Sequence, residues 1–314
     1  MPVRSFAQFL EDSHVIIGEG AVIERLRRDT DLPLDPEVVN AAFIYDERKR
    51  SALETIYRGY LDVGFKSGLP LMLSTATWRA SRERIESAGY QDRDVNADNY
   101  QFLDDLRKTY GSYGDKVVIC GLMSCRGDAY RPDERLSEEA SHSFHSWQAR
   151  KLAATGVDFL MAATLPALSE AIGLAHAQAA TGKPYIISFV FRPKGTLLDG
   201  TPLKDAIAAI DARVHPKPLA YMANCTHASI FRSAMTSTAH VSPLVKQRVV
   251  GLLANTAALE PEALDNSDAL VTEAPEAFGQ TVANLHGELG MKILGGCCGT
   301  NEHHIGALAD HLQK

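Results

Sequence analysis

Three cysteines are spaced so that they could share one ion. Cys297 and Cys298 are adjacent in the stretch LGGCCGT, Leu294–Thr300, and Cys225 closes the stretch LAYMANC. A disulfide between neighbours is strained, because the bond wants the two Cα atoms about 5.5 Å apart. Two thiols that face one partner are better explained by a metal. Zinc takes thiolates tetrahedrally, and a catalytic zinc keeps one position open, so three sulfurs and one vacancy suit it. Soft ligands of this kind argue against magnesium and calcium. Gly295, Gly296 and Gly299 let the chain bend so that two consecutive side chains reach one ion. The competing readings are a closed structural zinc site and three unconnected core cysteines. Of the other two cysteines, Cys120 reads as a buried core thiol and Cys125 as a rim residue of undecided role.

The elements that must bring these sulfurs together are legible in the apolar pattern. Eight short runs are nearly continuous in Val, Ile, Leu and Met: VIIGEG from Val15, LMLSTAT from Leu71, KVVICGLM from Lys116, DFLMAAT from Asp158, YIISFVF from Tyr185, LAYMANC from Leu219, VVGLLANT from Val249 and MKILGGCC from Met291. Such runs suit strands buried on both faces of a parallel sheet. Segments of helical period separate them. ERKRSALETIYRGYLDVG is expected to stop at Gly64, LSEEASHSFHSWQARKLAATG to start at a Ser137 cap, and PEAFGQTVANLHGELG to run from Pro275 to Gly290. Eight strand–helix units in 314 residues predict a single (β/α)8 barrel, with a doubly wound open sheet as the alternative. No linker divides the chain, so residues 1–314 are expected to form one domain. Barrel active sites lie at the C-terminal ends of the strands, and runs six and eight end at these three cysteines.

The remaining composition limits the partners. A formal charge of −7 without a basic stripe argues against nucleic acid. The longest apolar stretch, FLMAATLPAL from Phe159, is about half the ~20 residues that span a bilayer, so a membrane protein is not expected. The first residues lack an apolar signal core, and five unevenly spread cysteines suit a reducing compartment; a cytoplasmic location is expected. Assembly into a homo-oligomer is left open.

The cysteine pattern, ANC followed about seventy residues later by GGCCGT with HIGALA just after it, resembles the zinc-dependent, cobalamin-independent homocysteine S-methyltransferase family. YRGYLDVG at Tyr57 resembles the family's HRxYLxAG, and STATWRAS at Ser74 resembles TTNTYQAS. FHSWQARKLAATGVDFL from Phe144 and GTLLDGTPLKDAI from Gly195 follow in the family's order, so the similarity covers most of the chain. The resemblance implies a (β/α)8 barrel, one zinc ion held by Cys225, Cys297 and Cys298, a thiol acceptor and a small-molecule methyl donor. A sulfonium or quaternary ammonium donor suits a thiolate nucleophile, since the reaction annihilates the two charges.

Two positions depart from the family pattern. The segment like CETIP after the fourth strand, whose acid is expected to hold the amino group of homocysteine, here reads AATLP, with Ala163 at the acidic position and Thr164 retained. Asp-Gly-Gly at the first strand is here Gly-Glu-Gly-Ala, which makes Glu19 the candidate amine contact, with a rim salt bridge as its alternative. Further candidates are Asn224, orienting Cys225 or touching substrate, and Trp78, facing a cationic donor or packing in the core. His227 could close the zinc site or be a loop histidine. His303 and His304 read as capping or packing residues. Arg126, Asp128 and Tyr130 either shape the donor pocket or form a surface turn with an internal Arg–Asp contact. The leading expectation is methyl transfer to homocysteine, giving methionine. The alternatives are a different thiol, because of Ala163, a non-catalytic zinc protein, and a zinc hydrolase, for which no general base is evident.

Overall fold

The computed structural model describes residues 5–28, 31–237, 242–259 and 272–314. All eight apolar runs form strands: β1 Ile16–Gly18, β2 Leu71–Ser74, β3 Val117–Ser124, β4 Phe159–Leu165, β5 Tyr185–Phe189, β6 Ala220–His227, β7 Val249–Asn255 and β8 Ile293–Gly296. Each pairs in parallel with its neighbours in sequence, and β8 closes on β1 through Ile16–Ile293 and Ile17–Leu294. The fold is a closed (β/α)8 barrel, and the open-sheet alternative falls.

The first helix among the described residues, α1 (Phe6–Asp12), precedes β1 and is not evident in the sequence pattern. A capping box between Ser5 and Gln8 starts it. Phe6, Phe9 and Leu10 then pack with Ile16, Met72, Phe159, Ile186 and Ile293, and Phe6 stacks on Phe159 with ring centroids 3.8 Å apart. Because these residues come from the starts and middles of the strands, α1 stoppers the N-terminal end of the barrel.

The outer helices follow as α2 (Ile23–Arg27), α3 (Glu47–Ser67), α4 (Arg82–Ser87), α5 (Val95–Lys108), α6 (Glu138–Ala153), α7 (Leu168–Ala179), α8 (Leu203–Arg213), α9 (Ala228–Thr236), α10 (Pro243–Arg248), α11 (Pro275–Leu289) and α12 (Glu302–Leu312). Ser137 caps α6 by accepting from the Ala140 amide, and Gly290 ends α11 in the left-handed region at φ 71°, both as expected. The end of α3 differs from expectation. The helix continues past Gly64 to Ser67, and Gly68 at φ 69° terminates it. Gly64 serves packing instead: a Cβ there would lie 2.0 Å from the Tyr113 hydroxyl. Among the described residues no helix is long and apolar enough to cross a membrane.

Candidate active site

The C-terminal strand ends enclose a cavity of about 960 Å³. Its floor and wall are lined by Glu19, Tyr57, Ser74, Thr164, Asn224 and the thiols Cys225, Cys297 and Cys298. The three sulfurs lie within 4.8 Å of one another, with Cys225 Sγ and Cys297 Sγ 3.0 Å apart. Sulfurs around a tetrahedral zinc at ~2.3 Å stand about 3.8 Å apart, so a small outward shift accommodates the ion. Among the described residues this is the one cluster of three or more metal-ligating side chains. The donor set, three soft sulfurs at one point of a cavity wall, fits zinc with a position facing the cavity.

The backbone goes to some trouble to aim Cys225. It adopts φ 54°, in the left-handed region that a non-glycine residue enters at a cost of order 1 kcal/mol. The β6–β7 register shifts at that point, between Asn224 and Thr226, so a bulge turns the sulfur into the mouth. Thr164 does the same on β4, at φ 60° beside a register shift against β5. The Asn224 side chain ties the two together. Its carbonyl accepts from the Thr164 amide (2.9 Å) and the Ser188 hydroxyl (2.7 Å). Its amide donates to Thr164 Oγ1 (2.8 Å) and to Cys225 Sγ (3.2 Å). That uses every hydrogen-bonding position the side chain has, which leaves none for a ligand. Asn224→Ala is expected to destabilise the protein by about 2 kcal/mol or more, because several buried groups lose partners at once. It should also weaken zinc affinity about 10–100-fold, as loss of an outer-shell partner does. Denaturant unfolding and competition with a chelator measure the two effects.

Cys297 and Cys298 are held by β7. The Cys297 amide donates to the Ala254 carbonyl (2.7 Å) and the Cys298 amide to Asn255 Oδ1 (3.1 Å). Thr300 returns its hydroxyl to the Cys297 carbonyl at 2.6 Å. Gly299, at φ 83°, makes the turn that lets both side chains face one point. Gly295 has another job: a Cβ there would lie 2.7 Å from Gly18 Cα, so its role is the close approach of β8 to β1. Without a metal the thiols share their protons unequally. Hydrogen bonds from Cys297 and then Cys298 hold Cys225 well below the usual thiol range, and the same bonds push the other two up.

Glu19 follows β1 and is buried against Ser74, whose amide donates to Glu19 Oε2 at 3.1 Å. Burial raises its carboxyl to about 8, so near neutral pH it is largely protonated. No cation lies within 4.0 Å of it among the described residues, so the salt-bridge alternative has no partner. Ala163 also lines the cavity and presents only a methyl. Trp78 is half-buried at the rim, and the Arg79 guanidinium lies over its ring, 4.1 Å from the centroid.

Other sequence candidates take structural places. His227 caps α9, its Nδ1 accepting from the Ser229 amide, and it stands outside the thiol cluster. His304 completes a capping box with Asn301 at the start of α12, whereas His303 is exposed. Cys120 is wholly buried among the barrel's inner side chains. Cys125 is buried at the rim, and burial pushes its thiol up to about 11. The loop after β3 does line the cavity, through Gly127, Asp128, Ala129, Tyr130 and Glu134. Its expected Arg126–Asp128 contact does not form. Arg126 pairs with Glu83 at 3.0 Å, and Asp128 accepts from the Tyr130 amide at 2.8 Å. Tyr130 reaches the thiol cluster and packs with Val190 and Leu198 against Cys225. Glu170, paired with His145 in the core at 3.1 Å, pins this loop by accepting from the Arg126 and Leu136 amides. Sequence reasoning missed Asn255 and Glu170, whose residue types carry no distinguishing signal at strand ends or in helices.

The family model described as Homocysteine S-methyltransferase matches residues 16–312. The chain belongs to the homocysteine S-methyltransferase family. Among curated relatives, betaine–homocysteine S-methyltransferase 1 of Rattus norvegicus is 24% identical over 98% of this chain and 75% of its own length. The homocysteine S-methyltransferase of Escherichia coli is 30% identical over 60% of this chain and 58% of the relative. In fold, the metallated form of the homocysteine methyltransferase MmuM of Escherichia coli superposes with a TM-score of 0.74 at 21% identity, covering 96% of this chain and 97% of that one. Membership of the homocysteine S-methyltransferase family makes this protein an S-methyltransferase, with homocysteine as the family's acceptor.

Proposed function

We propose that this member of the family transfers a methyl group from a sulfonium or quaternary ammonium donor to a thiol, with one zinc ion held by Cys225, Cys297 and Cys298. The observation that carries the reading is the convergence of these sulfurs on the wall of the barrel's mouth. Zinc bound there supplies a Lewis acid that favours the thiolate form of an incoming acceptor. The protein's own residues do the rest. Asn224 positions Cys225. Thr164, whose Oγ1 already accepts from Asn224, keeps its hydroxyl hydrogen for a ligand. Glu19 releases its proton to solvent when an ammonium arrives beside it and then pairs with that charge. A cytoplasmic site of action and a role in making methionine are part of the same proposal.

Homocysteine is the acceptor we favour, and Ala163 supports a second reading in which the thiol has no amino group. A panel separates them. Zinc content near one ion per chain, together with methylation of homocysteine by a sulfonium donor, supports the first. Methylation of 4-mercaptobutyrate, the deamino analogue, without methylation of homocysteine supports the second. Bound zinc with no turnover on either thiol rejects both and leaves a zinc-binding protein. Ala163→Glu adds the missing carboxylate to the wall. It is expected to lower the KM for homocysteine about tenfold, the worth of one charge-assisted contact, while leaving that for 4-mercaptobutyrate unimproved.

A further inference from the structure

The closed end of the barrel carries two histidines that face each other. His14 lies between α1 and β1, and His286 lies in the last turn of α11. Their Nε2 atoms are 2.9 Å apart, with the ring planes at 85° and the centroids 4.5 Å apart. The thiols stand at the other, C-terminal ends of the strands, so this pair is a separate feature.

The chain holds both rings on one frame. His286 Nδ1 is 2.8 Å from the Met291 carbonyl. A carbonyl only accepts, so Nδ1 carries the ring hydrogen and Nε2 of the uncharged ring holds a lone pair. The end of α11 fixes that carbonyl: the Gly290 amide donates to the His286 carbonyl (2.9 Å) and the Met291 amide to the Leu285 carbonyl (3.4 Å). Met291 leads into β8. The Ile16 amide of β1, two residues after His14, donates to the Lys292 carbonyl at 2.7 Å. Lys292 itself turns its ammonium to the Leu10 and Glu11 carbonyls in the last turn of α1, 2.9 Å from each. Half-buried His286 is thereby oriented, and exposed His14 meets it at the surface.

Ligating histidines are held in just this way, with one ring N–H on a backbone carbonyl and the other nitrogen free. Two nitrogens bound at ~2.0–2.1 Å stand about 2.9 Å apart as a cis pair on a square or octahedral ion, and about 3.4 Å apart on a tetrahedral one. The observed separation matches the cis pair. The rings also meet at an angle, since a straight N–H···N bond would set their centroids roughly 5 Å apart or more.

We propose that His14 and His286 form a second metal site, for a divalent transition ion that favours imidazole and cis geometry, nickel(II) or copper(II), with water filling the other positions. Magnesium and calcium, which want oxygen ligands, do not suit it. As the ion enters, His14 moves its ring hydrogen from Nε2 to Nδ1 through solvent, so no proton is gained or lost. The bound ion clips the segment between α1 and β1 to the end of α11, and so secures the helix that closes the barrel.

The test uses the purified full chain and nickel(II), which does not oxidise thiols as copper(II) does. Calorimetric titration and metal analysis count the nickel on the wild-type, His14→Ala, His286→Ala and His303→Ala proteins. Whatever the thiols hold, the first two variants should each bind one nickel fewer per chain, or bind it at least tenfold more weakly. His303→Ala, at an exposed histidine of α12, should match the wild type. Nickel should shift the ring resonances of His14 and His286 before those of the other histidines. It should raise the denaturant midpoint of the wild type more than that of either variant. His14→Ala removes an exposed side chain, so it decides the matter alone if His286→Ala does not fold. No nickel uptake, or uptake undiminished in His14→Ala, overturns the proposal.

Discussion

Cys297→Ala is expected to reduce zinc from about one ion per chain to background and to lower kcat/KM by far more than the 10–100-fold typical of losing an outer-shell partner. Cys225→Ala and Cys298→Ala should behave alike, because two remaining sulfurs do not hold zinc in a site that must also keep a position for the acceptor. Cys125→Ala is the control. That thiol is buried at the same rim and contacts the Thr164 and Gly127 carbonyls, not the cluster. It should retain zinc and most activity. Metal analysis of the four purified variants, alongside methyl-transfer kinetics, checks the set. Zinc retained in full by any of the first three would remove the basis of the proposed function.

The second large effect concerns Glu19. Its folded-state pKa, about 8, lies above the ordinary value of 4.5 because burial disfavours the carboxylate. Between those values the unfolded chain has lost the proton and the folded chain keeps it. The folded state therefore binds more protons, and stability falls as pH rises from about 5 to about 8, by at most ~1.4 kcal/mol per unit. Glu19→Gln removes this slope. The metal-free variant is expected to match the wild type near pH 5 and to exceed its stability by a few kcal/mol at pH 8, read from denaturant midpoints across that range. The same change should raise the KM of an amino-bearing thiol and spare that of 4-mercaptobutyrate.

Much of this was legible in the residues. Strands buried on both faces must be apolar at every position, so the eight runs announced themselves, and their spacing left room for one helix each. The thiols stood out because strand ends converge in a barrel whatever separates them in sequence. What stayed hidden was what depends on distance between segments. Nothing in the letters at Thr164 or Cys225 announces a left-handed backbone, since neither is glycine. Arg79 could be read beside Trp78, but not that its guanidinium would lie over that ring and donate to the Cys125 and Arg126 carbonyls. Gly64 looked like a helix stop because a glycine needed for close packing and one needed for a turn are the same letter. The opening helix escaped because seven residues give too few turns for a periodic signal.

That opening helix has a bearing on traffic through the enzyme. With Phe6 and Phe9 corking one end of the ring, both reactants must enter, and both products leave, by a single doorway. A ligand held against the sulfurs and the co-substrate that reacts with it share that doorway, and neither can pass through the ring to leave by the other end.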